Sequence, residues 1–159
     1  MIGVTRIAAI AAAVGAATSG GVFFGFSTFV MQALKRLPAR DGLAAMQSIN
    51  RAAPNPLFMT ALFGTAAVGT GLALVALTRR DEPWVTPVIV GSALYLAGTA
   101  LTIVYHVPRN EALAVLDPDD SGSATAWLRY ATDWSRWNHV RTLTSLAAAT
   151  SFTWALAID

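Results

Sequence analysis

Charged residues and apolar runs fall in separate blocks along this chain instead of interleaving at helical spacing. No Asp, Glu, Lys or Arg occurs between Arg6 and Lys35, between Arg51 and Arg79, between Glu82 and Arg109, or between Arg141 and Asp159. A helix rises about 1.5 Å per residue and the hydrocarbon core of a bilayer is about 30 Å thick, so a crossing needs about 20 mostly apolar residues. Each gap can hold one. The pattern predicts an all-α fold, a four-helix transmembrane bundle with spans over 7–31, 56–78, 85–105 and 140–158, forming one integral membrane domain over 1–159. The first run continues through Val22, Phe23, Phe24 and Phe26, past the roughly 7–15 residues of a secretory signal core, and is expected to stay in the membrane.

Local signals refine the ends. Asn55 can cap the second span while Pro56 fills its first position, where a missing N–H costs nothing. Short amphipathic helices are expected in the first and third loops. In the first, Asp41 is placed to cap a helix through Leu43, Met46 and Ile49, with Gln47, Asn50 and Arg51 on its wetter side. In the third, the turn-rich DPDDSGS follows Pro108, and Ser123 can start a helix that feeds into the last span. Small residues let helices approach closely in lipid, so Ala17, Gly21 and Gly25, with Gly64 and Gly71, are the expected contact positions.

Composition narrows the picture mainly by exclusion. Hydrophobic residues make up 55% of the chain and charged ones 13%, too few to coat an ordinary soluble core. A net charge of +2 without a basic tract excludes nucleic acid as a partner. Cysteine is absent, which rules out disulfides, thiolate ligands and thiol nucleophiles. Lys and Arg gather in the first and third loops. The positive-inside rule then predicts a multi-pass protein of a bacterial cytoplasmic membrane with both termini outside.

Candidate chemistry concentrates in WLRYATDWSRWNHVRT. At about 100° per residue, Trp127, Tyr130, Trp134, Asn138, Arg141 and Ser145 share one helix face, so an aromatic wall leads to an amide and a guanidinium. Trp127 and Trp137 fit an interfacial aromatic belt equally well. The uncharged run after Arg141 is barely long enough to cross, which places this guanidinium at or inside the membrane lip. A charge there marks function and expects a partner, with snorkelling to lipid phosphate as the bland alternative. On the third span, Tyr95, Thr99, Thr102 and His106 share a face by the same arithmetic. Antiparallel spans bring His106 and His139 to similar depth, with Asn110 and Glu111 just beyond Pro108. Two histidines near carboxylates suit acid–base work, or a copper or iron site built from His106, His139 and Glu111, although no HxxxH pairing supports the metal. Asp117, Asp119, Ser121 and Gly122 open like a calcium loop, but Leu128 stands where the bidentate Glu belongs, so a solvated turn is expected.

Taken together, GVFFGFSTFVMQAL, VPRNEAL and WSRWNHVRT make the chain resemble the anthrone oxygenase family of small four-helix membrane proteins. The resemblance implies oxygenation of an acidic aromatic ketone, an anthrone, to a quinone without flavin or haem. It carries onto Asn110 in VPRN and onto Trp134, Asn138, His139 and Arg141 in WSRWNHVRT; His106 joins them on geometry. An anthrone loses a proton readily, and its electron-rich enolate can reduce dioxygen directly. The protein must then supply a base, His106 or His139, and an oxyanion holder, Arg141 with Asn138 or Asn110, at about 3 kcal/mol per well-placed donor. Trp134 and Tyr130 would stack on the flat substrate, with Asn50 beside it. The expected partners are an apolar aromatic molecule and O2, both arriving from the lipid bilayer, with no cofactor; a homo-oligomer or a larger membrane complex is the expected assembly. Two other classes stay open, a metal-dependent membrane oxidoreductase and a non-catalytic accessory protein.

Overall fold

The computed structural model describes Met1 and residues 3–158, and every regular element among them is helical. Five continuous helices form: α1 Gly3–Arg36, α2 Ala39–Ala52, α3 Pro56–Leu77, α4 Val85–Ala114 and α5 Ser123–Ala157. α1, α3 and α4 are long and apolar enough to cross a membrane. α5 is the longest at 35 residues, but the threonines and serines of its second half keep its apolarity below theirs. Those hydroxyls are satisfied locally. Thr144, Thr150 and Thr153 donate to the carbonyls of Val140, Leu146 and Ala149, four residues back on the same helix, at 3.0, 2.9 and 2.9 Å.

The helices overrun their predicted ends. α4 passes through Pro108 to Ala114, and α5 begins at Ser123, so the third loop holds no separate amphipathic helix; its helical residues belong to α4 and α5. At about 1.5 Å per residue α5 is about 50 Å long against about 30 Å of hydrocarbon, so its first part stands clear of any slab its second part could cross. In the first loop α2 forms as expected, but Pro38 precedes it and Asp41 lies inside its first turn, where a negative charge complements the helix dipole without capping it. Asn55 does cap α3: its Oδ1 accepts from the Phe58 amide at 3.0 Å, with Pro56 in the first turn.

Two cores result. One lies among the long apolar runs and includes Ala9, Ala12, Phe23, Leu62, Leu72, Val88, Tyr95 and Phe152. The second joins the end of α1, α2, the end of α4 and the start of α5 through Met31, Leu34, Leu43, Met46, Leu113, Trp127 and Trp134. Gln47 ties α2 into this lip by donating to the carbonyls of Leu113 and Leu116 at 3.0 and 2.9 Å. Arg40 pairs with Asp119 in the turn before α5 and, by hydrogen bond and charge, holds its carboxyl below the usual carboxylate value.

The close helix contacts use different small residues from those expected. α1 packs through Ala9, Ala12, Ala16, Ser19 and Gly20, whereas Ala17 and Gly21 face outward. A Cβ on Gly20 would lie 2.9 Å from Leu146 Cδ2, but one on Gly21 would meet nothing within 4 Å. In α3 the contact is Gly69, whose carbonyl accepts from Ser92 at 2.8 Å; Gly71 is open and Gly64 meets only Thr60 of its own helix. A helix this rich in alanine and glycine offers small-residue ladders on several faces, so spacing alone cannot select one.

Three helices widen at one level. π turns interrupt α1 at Phe26–Val30, α3 at Thr60–Gly64 and α4 at Thr102–His106. In α4 the widening comes immediately before Pro108, which has no N–H to give the carbonyl four residues back and whose ring would collide with it. Carbonyls freed from the regular ladder need other donors. The carbonyl of Ala61 accepts from the buried Tyr95 hydroxyl at 3.2 Å, and that of Leu62, which also takes the Thr65 amide, lies at the same distance from it.

Candidate functional site

Where the two cores meet, the π turns surround a cavity of about 320 Å³. That volume lies within the roughly 300–1,000 Å³ of small-molecule sites. Phe23, Phe26, Met46, Ile49, Phe58 and Leu62 make its apolar walls. Its polar lining is short: Asn50, Thr102, His106, Asn110, Trp134 and Arg141. A larger hollow of about 570 Å³ runs along the outer face of α5 past Leu146, Thr150 and Trp154, but it is shallow and has no titratable side chain.

Arg141 dominates the electrostatics. It is 5% exposed, and no carboxylate pairs with it among the described residues. Its Nη2 donates to Asn138 Oδ1 at 2.7 Å and its Nη1 reaches Thr102 Oγ1 at 3.4 Å, both neutral acceptors. The guanidinium carbon sits 4.2 Å from the Phe23 ring centre and 5.1 Å from that of Trp134, favourable cation–π positions. Its Nε has no partner. Taking a charge out of water costs several kcal/mol, and neutral oxygens with two rings do not replace a counter-anion. The arrangement is built to receive negative charge.

His106 is the second unsatisfied group. It is 1% exposed, its ring lies edge-on to Trp134 at 5.1 Å, and neither ring nitrogen makes a hydrogen bond. The Trp137 backbone approaches it without reaching hydrogen-bond geometry. Of the four buried side-chain nitrogens without partners among the described residues, three belong to His106 and Arg141, and the fourth is Trp127 Nε1. Buried orphans are rare in folded proteins, so their meeting at one cavity points to a ligand.

A hydrogen-bonded chain closes the lip side. Trp134 Nε1 donates to Asn110 Oδ1 at 3.0 Å, and the Tyr130 hydroxyl donates to the same oxygen at 2.8 Å. Asn50 Nδ2 reaches the Tyr130 hydroxyl at 3.4 Å, connecting α2 to the site.

The sequence-derived candidates divide clearly. His106, Arg141, Asn110, Trp134 and Asn50 all line the cavity. Asn138 does not. It is fully buried behind Arg141, donating to the Phe23 carbonyl and to Ser27 Oγ, both at 2.8 Å, and so fixes the guanidinium. Tyr130 likewise bonds to Asn110 from outside the cavity and is not among the residues that line it. His139 and Glu111 are exposed on outward faces, and no group of three His, Asp or Glu side chains converges among the described residues, so the His106, His139 and Glu111 metal set is not assembled. Trp127 is buried in the lip core, whereas Trp137 is 43% exposed beside Tyr105, on which Arg109 stacks at 3.5 Å. Periodicity put Thr102 on the His106 face, where it does line the cavity, but missed Phe23, Phe26 and Met46 as lining residues. Phe23 and Phe26 stand in the GVFFGF segment, but only tertiary packing turns them to the cavity.

Residues 57–151 match the family described as Anthrone oxygenase. This region covers α3, α4 and most of α5, including the VPRN and WNHVRT elements, and stops short of α1 and α2. No curated protein and no solved structure matches the chain.

Proposed function

Because the chain belongs to the anthrone oxygenase family, we propose that it is a membrane monooxygenase that converts an anthrone or a similar acidic aromatic ketone to a quinone with O2. The observation that carries the reading is a buried cation without a counter-anion beside a histidine with both nitrogens free, at the end of an apolar cavity. The ketone oxygen becomes anionic as the ring methylene loses a proton, so Arg141 interacts more strongly with the transition state than with the substrate. His106 accepts that proton. The enolate gives one electron to O2, and the two radicals combine at the same carbon to form a hydroperoxide, to which His106 returns the proton. Loss of the second methylene proton with O–O cleavage leaves the quinone and releases water. One oxygen atom stays on carbon and the other leaves as water, so no external reductant is consumed and no cofactor is needed.

In this reading the second half of α5 is a fourth crossing, its hydroxyls bonded back to its own carbonyls, and the lip that carries the site faces the cytoplasm. The test is oxygen uptake by detergent-purified protein supplied with a simple anthrone. His106→Ala and Arg141→Ala are expected to lower kcat about 100-fold or more, and His139→Ala to stay within about twofold of wild type. Equal rates in all variants would remove the residue assignment. A wild-type rate no higher than spontaneous oxidation would remove the activity. Elemental analysis checks the cofactor-free claim, since copper or iron at a constant ratio to activity would replace it.

A further inference from the structure

Asn110 takes part in two contacts that together decide more than either alone. Its Oδ1 accepts from both Trp134 Nε1 and the Tyr130 hydroxyl, at 3.0 and 2.8 Å. The two ends of a carboxamide have nearly the same shape, so its neighbours decide which way it points. Here one neighbour leaves no choice, because an indole nitrogen donates and never accepts. The atom facing Trp134 must be the oxygen. The Tyr130 hydroxyl must then donate inward and accept from Asn50 Nδ2, so one donor-only group sets the direction of the whole chain. Asn110 Nδ2 is left with no hydrogen bond to the described residues, on a side chain that lines the same cavity as Arg141. Two bonds accepted on Oδ1 also polarise the amide and strengthen its N–H donors.

We propose that Asn110 is a substrate-contacting donor, the neutral partner of Arg141 in holding the ketone oxygen as it turns anionic, and that Trp134 is the positioning residue that keeps the Asn110 amide turned to the cavity. The identity of the substrate rests on the oxygenase reading; the direction of the amide does not. A second donor matters because a single guanidinium on a flexible stem does not fix the plane of the substrate, whereas two donors from different helices do.

Asn110→Asp separates the two ends of the amide, since a carboxylate still accepts from Trp134 and Tyr130 but offers no N–H. It is expected to lower kcat on anthrone about 100-fold, and Trp134→Phe about tenfold, the worth of one neutral hydrogen bond. The double variant Trp134→Phe/Asn110→Asp is expected to be no slower than Asn110→Asp alone, because Trp134 acts through an amide that is no longer there. Multiplying losses would mean that Trp134 acts by packing and would overturn the positioning role. An Asn110→Asp rate within about twofold of wild type would overturn the donor role. A readout independent of turnover is the indole N–H resonance of Trp134 in 15N-labelled protein, assigned by its absence in Trp134→Phe. It should hold in Asn110→Asp and move in Asn110→Leu; no movement in Asn110→Leu would show that the bond is not made. If wild type does not oxidise anthrone, the oxygenase reading fails by itself, and binding of 9,10-anthraquinone, a neutral ketone, decides the donor. Affinity about tenfold weaker in Asn110→Asp supports it, and equal affinity overturns it.

Discussion

Arg141 brings stability and function into opposition. Replacing a buried charge by an apolar side chain of similar length is often neutral or stabilising, because the desolvation cost disappears. Against this, removal of the guanidinium leaves Asn138 Oδ1 without its 2.7 Å donor, a loss of about 1–3 kcal/mol. Arg141→Met is therefore expected to leave the thermal midpoint within a few degrees of wild type while lowering turnover about 100-fold. Circular dichroism melting in detergent, beside the oxygen assay, reads both. A midpoint collapse with proportionate loss of activity would make Arg141 a structural residue. Its unusual setting was legible in the sequence, since a charge this close to the start of a short uncharged run is expensive to bury. Its lack of an anionic partner was not, because partners come from elements distant in the chain.

Among the elements, α2 carries the sharpest conflict between local and tertiary effects. Gly42 lies inside this helix, where alanine is preferred by about 1 kcal/mol. A Cβ there would stand 2.7 Å from the Leu34 backbone carbonyl oxygen and 3.0 Å from Trp127 Nε1. Backbone cannot rotate away as a side chain can, and overpacking of this kind costs about 1–3 kcal/mol. Gly42→Ala is expected to lower the melting midpoint, and Gly21→Ala, with nothing within 4 Å of its added methyl, to hold or raise it. A rise in both would mean that α2 does not seat against Trp127. The existence of α2 followed from its amphipathic pattern. Its seat did not, and neither did the three π turns, because a wide turn reflects where a helix must re-aim side chains against its neighbours.

For the molecule as a whole, the oxygenase reading requires that an apolar ligand reach the cavity. Val22 and Phe63 each line it and are 40% and 44% exposed, so it reaches the outer surface between α1 and α3. That surface is apolar and belongs to two helices long and apolar enough to cross a membrane, so in the proposed reading the opening faces lipid. The chain lacks cysteine, which makes an introduced pair unambiguous. Bridging Val22→Cys and Phe63→Cys with a bifunctional thiol reagent is expected to stop oxidation of membrane-dissolved anthrone, while either single variant treated alike stays active. A bridged protein that turns over at the unbridged rate would place the opening elsewhere.

The uncharged runs determined that this chain is helical and has segments that can cross a membrane, because the bilayer imposes a length and a polarity that read directly as residue counts. The 3.6-residue period likewise put Trp134, Asn138, Arg141 and His106 on inward faces. Roles within that group depended on layers that periodicity cannot separate. Asn138 and Arg141 share a stripe, yet one lies behind the other, and only the approach of α1 makes Asn138 a clamp and leaves Arg141 open to the cavity. His106 and His139, expected at similar depth, differ in direction, one buried and the other exposed, since a helix gives each residue a bearing and only packing gives that bearing a neighbour.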